Sequence, residues 1–348
     1  MPIIIDGGRI PARWAETHGS PEAGSCARLD ARADCIRVAL VNNMPDAALE
    51  DTEQQFFELL DTVSGDTPVR IKLYSLPDLP RGERGQKHLR DFYFGTDDLW
   101  NSRFDALIMT GTEPRQSDLR KEDYWDALTA VLDWAEHNTV STILSCLAAH
   151  AGVLYSEGIV RQPLSDKQFG VFEFKKVGQH ALTNHTADLV KFPHSRCNDL
   201  KKDTLTSCGY TVLTESKEAG VDSFVKLMGK SLFLHFQGHP EYGTRTLLKE
   251  YVRDIKRFLR GERETYPSMP HGYFEVGAAR ILADFREYAL SHRQEENMEI
   301  FPAAAVADTL QSSWNSSAIC VYRNWLGYVA SGKTDTAPCV AMTRAGRA

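Results

Sequence analysis

Val140-Ser141-Thr142-Ile143-Leu144-Ser145-Cys146-Leu147-Ala148-Ala149 runs a short apolar strand through an abrupt turn into a helix of small residues that extends to Leu154. A strand this short, with no polar alternation, suits a sheet covered on both faces. Working outward, Phe104 to Met109 is another apolar run, closed by Thr110-Gly111-Thr112-Glu113-Pro114, and Tyr124 to His137 has helical spacing. Further upstream, Ile36-Arg37-Val38-Ala39-Leu40-Val41 ends at the breaker Asn42-Asn43-Met44-Pro45. A helix with Phe56, Phe57, Leu59, Leu60 and Val63 on one face follows, and Val69 to Leu76 alternates as a strand. Strands alternating with helices at this spacing predict an α/β fold, a doubly wound and mostly parallel sheet with helices on both faces. After Gly158 the segments shorten; Gly170 to Lys175, Tyr210 to Thr214, Phe224 to Met228 and Leu232 to Phe236 read as antiparallel strands continuing the sheet. Thr244 to Leu259, 273–290 and 316–329 read as helices. The expected organisation is a loosely structured N-terminal arm over 1–34, a single α/β domain over 35–330, and a disordered tail over 331–348.

The 348 residues carry 40 Lys and Arg against 47 Asp and Glu, a net charge of −7, with 42% hydrophobic residues. That balance belongs to a soluble globular chain and excludes collagen, coiled coil and wholesale disorder. With no concentrated basic stripe to release counterions, nucleic acid is excluded as the main ligand. The seven cysteines are scattered without a C-x-x-C pair, which fits reduced thiols and a cytoplasmic protein. No apolar run approaches the ~20 residues that span a bilayer, so no membrane partner is expected. His150, His180, His185 and His194 match no zinc spacing, so no metal and no bound cofactor are expected.

Open α/β sheets bind ligands at the carboxyl ends of their strands, which directs attention to two loops. In the first, Cys146 stands where strand turns into helix; a sulfur at the positive end of a helix dipole is favoured as the nucleophilic thiolate. Taken alone, a buried structural cysteine reads equally well there. In the second, Phe236-Gln237-Gly238-His239-Pro240-Glu241-Tyr242, extended backbone would put Glu241 on the same side as His239, as base and orienting partner of a nucleophilic triad.

Together these loops resemble the class I glutamine amidotransferase-like (flavodoxin-like) fold. Within it the chain is similar to the homoserine O-acyltransferases, the homoserine O-succinyltransferase family of methionine biosynthesis. The stretches that carry this are Val41 to Pro45, Glu53 to Phe56, Phe104 to Gly111, Tyr124-Trp125, Lys167 with Gly170-Val171, Pro193 to Arg196, Gly238 to Tyr242, Arg253-Asp254 and Asn324 to Leu326. The resemblance makes Cys146 the acylated nucleophile, His239 the general base and Glu241 its partner. It also makes Arg253 the group that holds the substrate carboxylate, places Ser195 and Lys167 among the active-site polar residues, and leaves Arg196 a structural reading.

Three departures bear on that reading. Where the family shows lysines after Met-Pro, in a loop whose amides form the oxyanion hole, this chain has Asp46-Ala47-Ala48 in what reads as a slightly longer loop. Leu147 replaces an aromatic residue after the nucleophile. At the position of Arg115 the family carries Gly with succinyl-CoA as donor and Glu with acetyl-CoA; an arginine favours the succinyl carboxylate, with Glu113 nearby opposing it. The resemblance thus implies ping-pong acyl transfer from acyl-CoA to a small hydroxyl substrate, homoserine or serine. A glutamine amidotransferase, a cysteine peptidase and a catalytically silent binding protein share the same motifs. For assembly only the general default of a homodimer applies.

Overall fold

Runs such as Ile36–Val41 and Ala106–Met109 offer no polar side to solvent, so they form strands only where both faces are covered. In the computed structural model, which describes residues 3–7, 10–18 and 35–333, ten strands make one sheet among those residues. They are β1 (Ile4–Ile5), β2 (Ile36–Val41), β3 (Val69–Tyr74), β4 (Ala106–Met109), β5 (Ser141–Ser145), β6 (Gln162–Lys176), β7 (Leu189–Asp199), β8 (Thr211–Ser216), β9 (Gly220–Met228) and β10 (Ser231–Phe236). The described helices of seven or more residues are α1 (Ala12–His18), α2 (Asp46–Ser64), α3 (Glu83–Phe92), α4 (Trp125–Asn138), α5 (Leu147–Glu157), α6 (Thr246–Leu259), α7 (Val276–Ser291) and α8 (Asn315–Gly332).

The strand order is β1-β3-β2-β4-β5-β10-β9-β8-β6-β7. Neighbours from β1 to β10 are parallel, and those from β10 to β7 are antiparallel. Alternation along each parallel strand divides the core in two. Val38, Leu40, Ile108, Ile143 and Leu234 pack with α2 and α8, while Ala39, Val41, Leu107, Met109, Leu144 and Phe233 pack with α4 and α5. This is the doubly wound arrangement expected from the sequence, with an antiparallel extension from β9 to β7; β10, expected to be antiparallel, instead pairs in parallel with β5 and antiparallel only with β9. Because β3 and β4 flank β2 on opposite sides, the chain reverses its winding there, and the crevice at the carboxyl ends of β2 and β4 is the natural ligand site.

Helix α6 is amphipathic. Leu247, Leu248, Tyr251, Ile255, Phe258 and Leu259 bury against Phe169, Val171 and α7, which leaves Glu250, Arg253 and Asp254 free to face the β6–β7 hairpin.

Two departures from the sequence reading have physical causes. Part of the arm expected to be loosely structured is ordered: Ile4–Ile5 pairs parallel with Arg70 and Ile71, and buried Trp14 meets Phe57 edge-on at 5.5 Å. Three consecutive isoleucines are too short a run to show a period, yet they suffice to extend an edge. Residues 19–34, and the expected tail beyond Lys333, lie outside the described residues. Strand β7 has no counterpart in the sequence reading; Pro193 stands within it, and among the described residues β7 pairs only with β6, an edge that tolerates a residue without an N–H. No helix among the described residues is long and apolar enough to cross a membrane.

Candidate active site

β5 ends at Ser145 and α5 begins at Leu147, so one residue makes the turn. That residue, Cys146, has φ 52° and ψ −110°, a left-handed conformation that strains any side chain and recurs at functional sites. Hydrogen bonds on both sides impose it. The Cys146 N–H donates to the Phe236 carbonyl at 2.8 Å, while its own carbonyl accepts from Ala149 at 3.0 Å and His150 at 3.2 Å. Gly111 permits the close approach, since a Cβ there would lie 2.8 Å from the Leu147 nitrogen.

His239 follows β10, its N–H donating to the Pro193 carbonyl at 2.8 Å. Its Nδ1 meets Glu241 Oε1 at 2.9 Å, and the same oxygen accepts from Ser145 Oγ at 3.1 Å. The carboxylate is thereby tied to the strand that carries the cysteine. The sequence reading assumed extended backbone here; the structure has a turn instead, closed by the Tyr242 N–H on the His239 carbonyl at 3.1 Å, with Pro240 in the position that favours such turns. The imidazole also hydrogen-bonds the Cys146 side chain. Burial by itself lowers the His239 pKa, but the charges of Cys146 and Glu241 and the hydrogen bonds to both outweigh it and hold the pKa well above the usual histidine range. Tyr242 stacks on the ring with centroids 4.2 Å apart.

A second polar cluster adjoins this one through Tyr242, whose hydroxyl donates to Glu250 Oε1 at 2.6 Å. Ser195 Oγ donates to Glu250 Oε2 at 2.5 Å. Lys167 Nζ lies 3.1 Å from Asp254 and 3.5 Å from Glu250, over the Phe169 ring. Arg253 Nε donates to Asp254 Oδ1 at 3.1 Å, and its half-exposed guanidinium has Glu250 at 3.8 Å. Burial raises the Asp254 pKa, but Lys167 and Arg253 overcome that and keep it below the ordinary aspartate value. Ser195, Lys167 and Arg253 are thus brought together by Glu250 and Asp254, to neither of which the sequence reading gave a role in the site, although Asp254 stood in the matching stretch Arg253-Asp254. Their spacing of four residues, on one helix face, was the available signal.

The crevice at the winding reversal holds a cavity of about 450 Å³ lined by residues after β2 (Asn43, Pro45, Asp46, Ala47), after β3 (Leu79 to Arg81) and after β4 (Thr112 to Arg115). Asp46, Ala47 and Arg115 therefore share one cavity. The longer loop expected after Pro45 is absent, because α2 starts at Asp46 itself. The Asp46 carboxylate accepts from the Gly82 amide at 2.7 Å and faces Arg81 Nη1 at 3.3 Å, and those contacts fix the first turn of the helix. The Arg115 side chain is exposed; its amide and that of Gln116 both donate to Glu122 Oε1, at 2.6 and 2.7 Å. Glu113 is drawn aside toward Arg257, at 3.6 Å.

A family model described as Homoserine O-succinyltransferase matches residues 24–336. The chain belongs to that family. The homoserine O-succinyltransferase of Rhodopseudomonas palustris is 44% identical over 312 residues, 90% of this chain and 92% of the relative. Those of Methylorubrum extorquens and Bradyrhizobium japonicum are 42% and 40% identical over 85% of this chain, covering 87% and 91% of their own lengths.

As a member of the homoserine O-succinyltransferase family the chain is an acyltransferase enzyme, and its departures from the family pattern acquire physical content. Asp46, in place of a lysine, needs a glycine opposite, since a Cβ on Gly85 would come within 2.0 Å of its carboxylate. Leu147 is buried in the core between the sheet and α4, so an aliphatic side chain fills the place after Cys146. Of the histidines weighed as metal ligands, His150 instead meets Gln237 Oε1 at 3.0 Å, and burial, aided by Arg196 and Arg161, drives its pKa down to about 3.

Proposed function

We propose that the enzyme moves the succinyl group of succinyl-CoA to the hydroxyl of L-homoserine through a thioester on Cys146. The observation that carries this is the contact chain of sulfur, imidazole and carboxylate at a strained strand-to-helix turn beside the winding reversal. The Cys146 thiolate attacks the thioester carbonyl, and the bond to CoA breaks as the imidazolium of His239 protonates the leaving sulfur. Homoserine then attacks the acyl-enzyme; His239 takes the hydroxyl proton, and the Cys146 thiolate leaves. The first-turn amides of Asp46 and Ala47, which have no acceptor within their own helix, are the donors proposed for the tetrahedral oxyanion. Arg253, only partly engaged by Asp254, is the group proposed for the amino-acid carboxylate.

The test is CoA release from succinyl-CoA and acetyl-CoA, each with homoserine and with serine. Succinyl-CoA with homoserine is expected to be fastest, with serine slower by roughly 10- to 200-fold, the range one methylene supports. Equal rates with and without any hydroxyl acceptor would reject transfer in favour of hydrolysis.

The pH dependence tests the roles of His239 and Glu241. A protonated imidazole cannot accept the hydroxyl proton, so kcat falls as pH drops through the His239 pKa. Glu241→Gln removes one of the negative charges that raise this pKa. The acid limb is expected to move to lower pH while the plateau falls about 10²-fold as orientation of the ring is lost. An acid limb that stays in place in the variant would show that Glu241 does not act on the titrating base.

A further inference from the structure

We propose that the cationic outer face of α6 is the subsite for the phosphate groups of the CoA donor's nucleotide, with Lys256, Arg257 and Arg260 as the residues that hold them. The proposal rests on the acyl-transfer reading and adds to it a binding site outside the cavity at the winding reversal.

The inner face of α6 is apolar, so its charges collect on the other side. Lys249, Arg253, Lys256, Arg257 and Arg260 are interspersed with apolar and acidic residues along the sequence, and the helical turn gathers them around one cavity of about 290 Å³. Glu262 is the one acid among the described residues that line it. In a chain of net charge −7, such a concentration of one sign favours an anionic ligand. Complementing the helix dipole accounts for Lys256, Arg257 and Arg260, in and just after the last turn, but not for Lys249 and Arg253 further back. Neighbouring acids take up only part of the charge. Lys249 meets Asp51, Arg253 meets Asp254 and Arg260 meets Glu295. Arg257 has Glu113 at 3.6 Å, a pair exposed on both sides and so weakly held. Lys256 makes no hydrogen bond or ion pair among the described residues.

Two lines of contact join this face to the active site. On one, Tyr242 stacks on the His239 ring with centroids 4.2 Å apart and donates to Glu250, which has Arg253 at 3.8 Å. On the other, Glu113, the partner of Arg257, lines the same cavity as Asp46 and Ala47. A donor whose thioester carbonyl meets the amides of Asp46 and Ala47 can therefore lead its pantetheine arm past Glu113 to α6. Arg253 keeps the amino acid's carboxylate, and one turn beyond it the phosphates reach Lys256, Arg257 and Arg260. The diphosphate and 3′-phosphate of CoA present several acceptor oxygens, which suit guanidinium and ammonium donors held side by side. In binding them Arg257 exchanges a long, exposed pair for a phosphate.

The experiment compares succinyl-CoA with succinyl-pantetheine, which keeps the thioester and the arm and lacks the nucleotide, by release of free thiol in the presence of homoserine. Wild type is expected to favour succinyl-CoA, and to favour it less as salt is added, because exposed cations are screened. Lys256→Gln should lower the ratio of kcat/KM for the two donors by about 5-fold, the size of one exposed ionic contact, and Lys256→Gln with Arg260→Gln by about 25-fold. Lys256→Arg, which keeps the charge, should stay close to wild type. Adenosine 3′,5′-bisphosphate should compete with succinyl-CoA in wild type and weaken in the double variant, with inorganic phosphate at the same concentration far less effective. An unchanged donor ratio in the double variant overturns the proposal, as does inhibition by inorganic phosphate equal to that by the bisphosphate. If the double variant does not fold, the ratio in Lys256→Gln alone decides, since that side chain has no ion pair to lose. A wild type that forms an acyl-enzyme from neither donor overturns the acyl-transfer reading itself, a result distinct from a lost preference between donors.

Discussion

Cys146→Ala is expected to leave no measurable CoA release and no O-acyl product, a fall in kcat of roughly 10⁴-fold or more, the scale seen when the nucleophile of a triad is removed. The size follows from where the sulfur stands. Its backbone is held in the left-handed region between the Phe236 carbonyl and the first turn of α5, and alanine suffers the same strain, so the variant should fold with little change in Tm. His239 retains Glu241 in Cys146→Ala but loses the sulfur that contributes to its raised pKa. A base alone could still help homoserine attack succinyl-CoA directly, and kinetics separate that route. Transfer through Cys146 gives parallel double-reciprocal lines and an acyl adduct on the protein. Direct transfer gives intersecting lines and none. Appreciable turnover in Cys146→Ala, with intersecting lines, would dismiss the thioester mechanism.

The parts of the fold that could be read in the sequence are those where one residue pattern has one physical solution. β2, β4 and β5 are buried on both faces almost throughout, which a covered parallel strand accommodates; β10, read as antiparallel, pairs in parallel with β5 and antiparallel with β9, and α6 shows its buried face through Leu247, Tyr251, Ile255 and Phe258. β1 and β7 were hidden because their identity depends on partners distant in the chain. Ile4 and Ile5 form a strand only because Arg70 and Ile71 present an open edge, and β7 accepts Pro193 only because nothing pairs on its far side.

The site divides in the same way. Cys146 and His239 were legible because each follows an apolar strand, and the sheet brings strand ends together: β10 pairs in parallel with β5, and Phe236 stands opposite Ser145. Glu250 and Asp254 were not, because two acids four residues apart with Arg253 between them look like a solvated helix face. Only the β6–β7 hairpin, which delivers Lys167 and Ser195, turns that face into a site.

Arg196→Met should produce the largest loss of stability, about 3–5 kcal/mol. The Arg196 side chain is buried and fully engaged. Nη1 donates to Asp199 Oδ1 at 2.9 Å and to the Asn198 carbonyl at 2.6 Å, Nη2 donates to the Ala219 carbonyl at 2.6 Å, and Nε donates to His194 Nδ1 at 3.1 Å. Methionine fills much of the volume but removes the donors to the Asn198 and Ala219 carbonyls and leaves Asp199 with Lys201 at 2.6 Å and a long bond from Gln237 at 3.4 Å. The effect reaches the active site through His194. Accepting from Arg196 fixes its Nδ1 as unprotonated and its proton on Nε2, which faces Asp222 Oδ1 at 3.1 Å. Burial keeps the His194 pKa low despite that aspartate. Asp222 Oδ1 in turn accepts from the Gly238 amide at 3.2 Å, directly before His239. Thermal unfolding of Arg196→Met is therefore expected roughly 10 °C below wild type, with turnover at low temperature reduced far less than in Cys146→Ala. A variant with wild-type Tm and no activity would instead place Arg196 in contact with substrate and remove it from the framework behind the histidine loop.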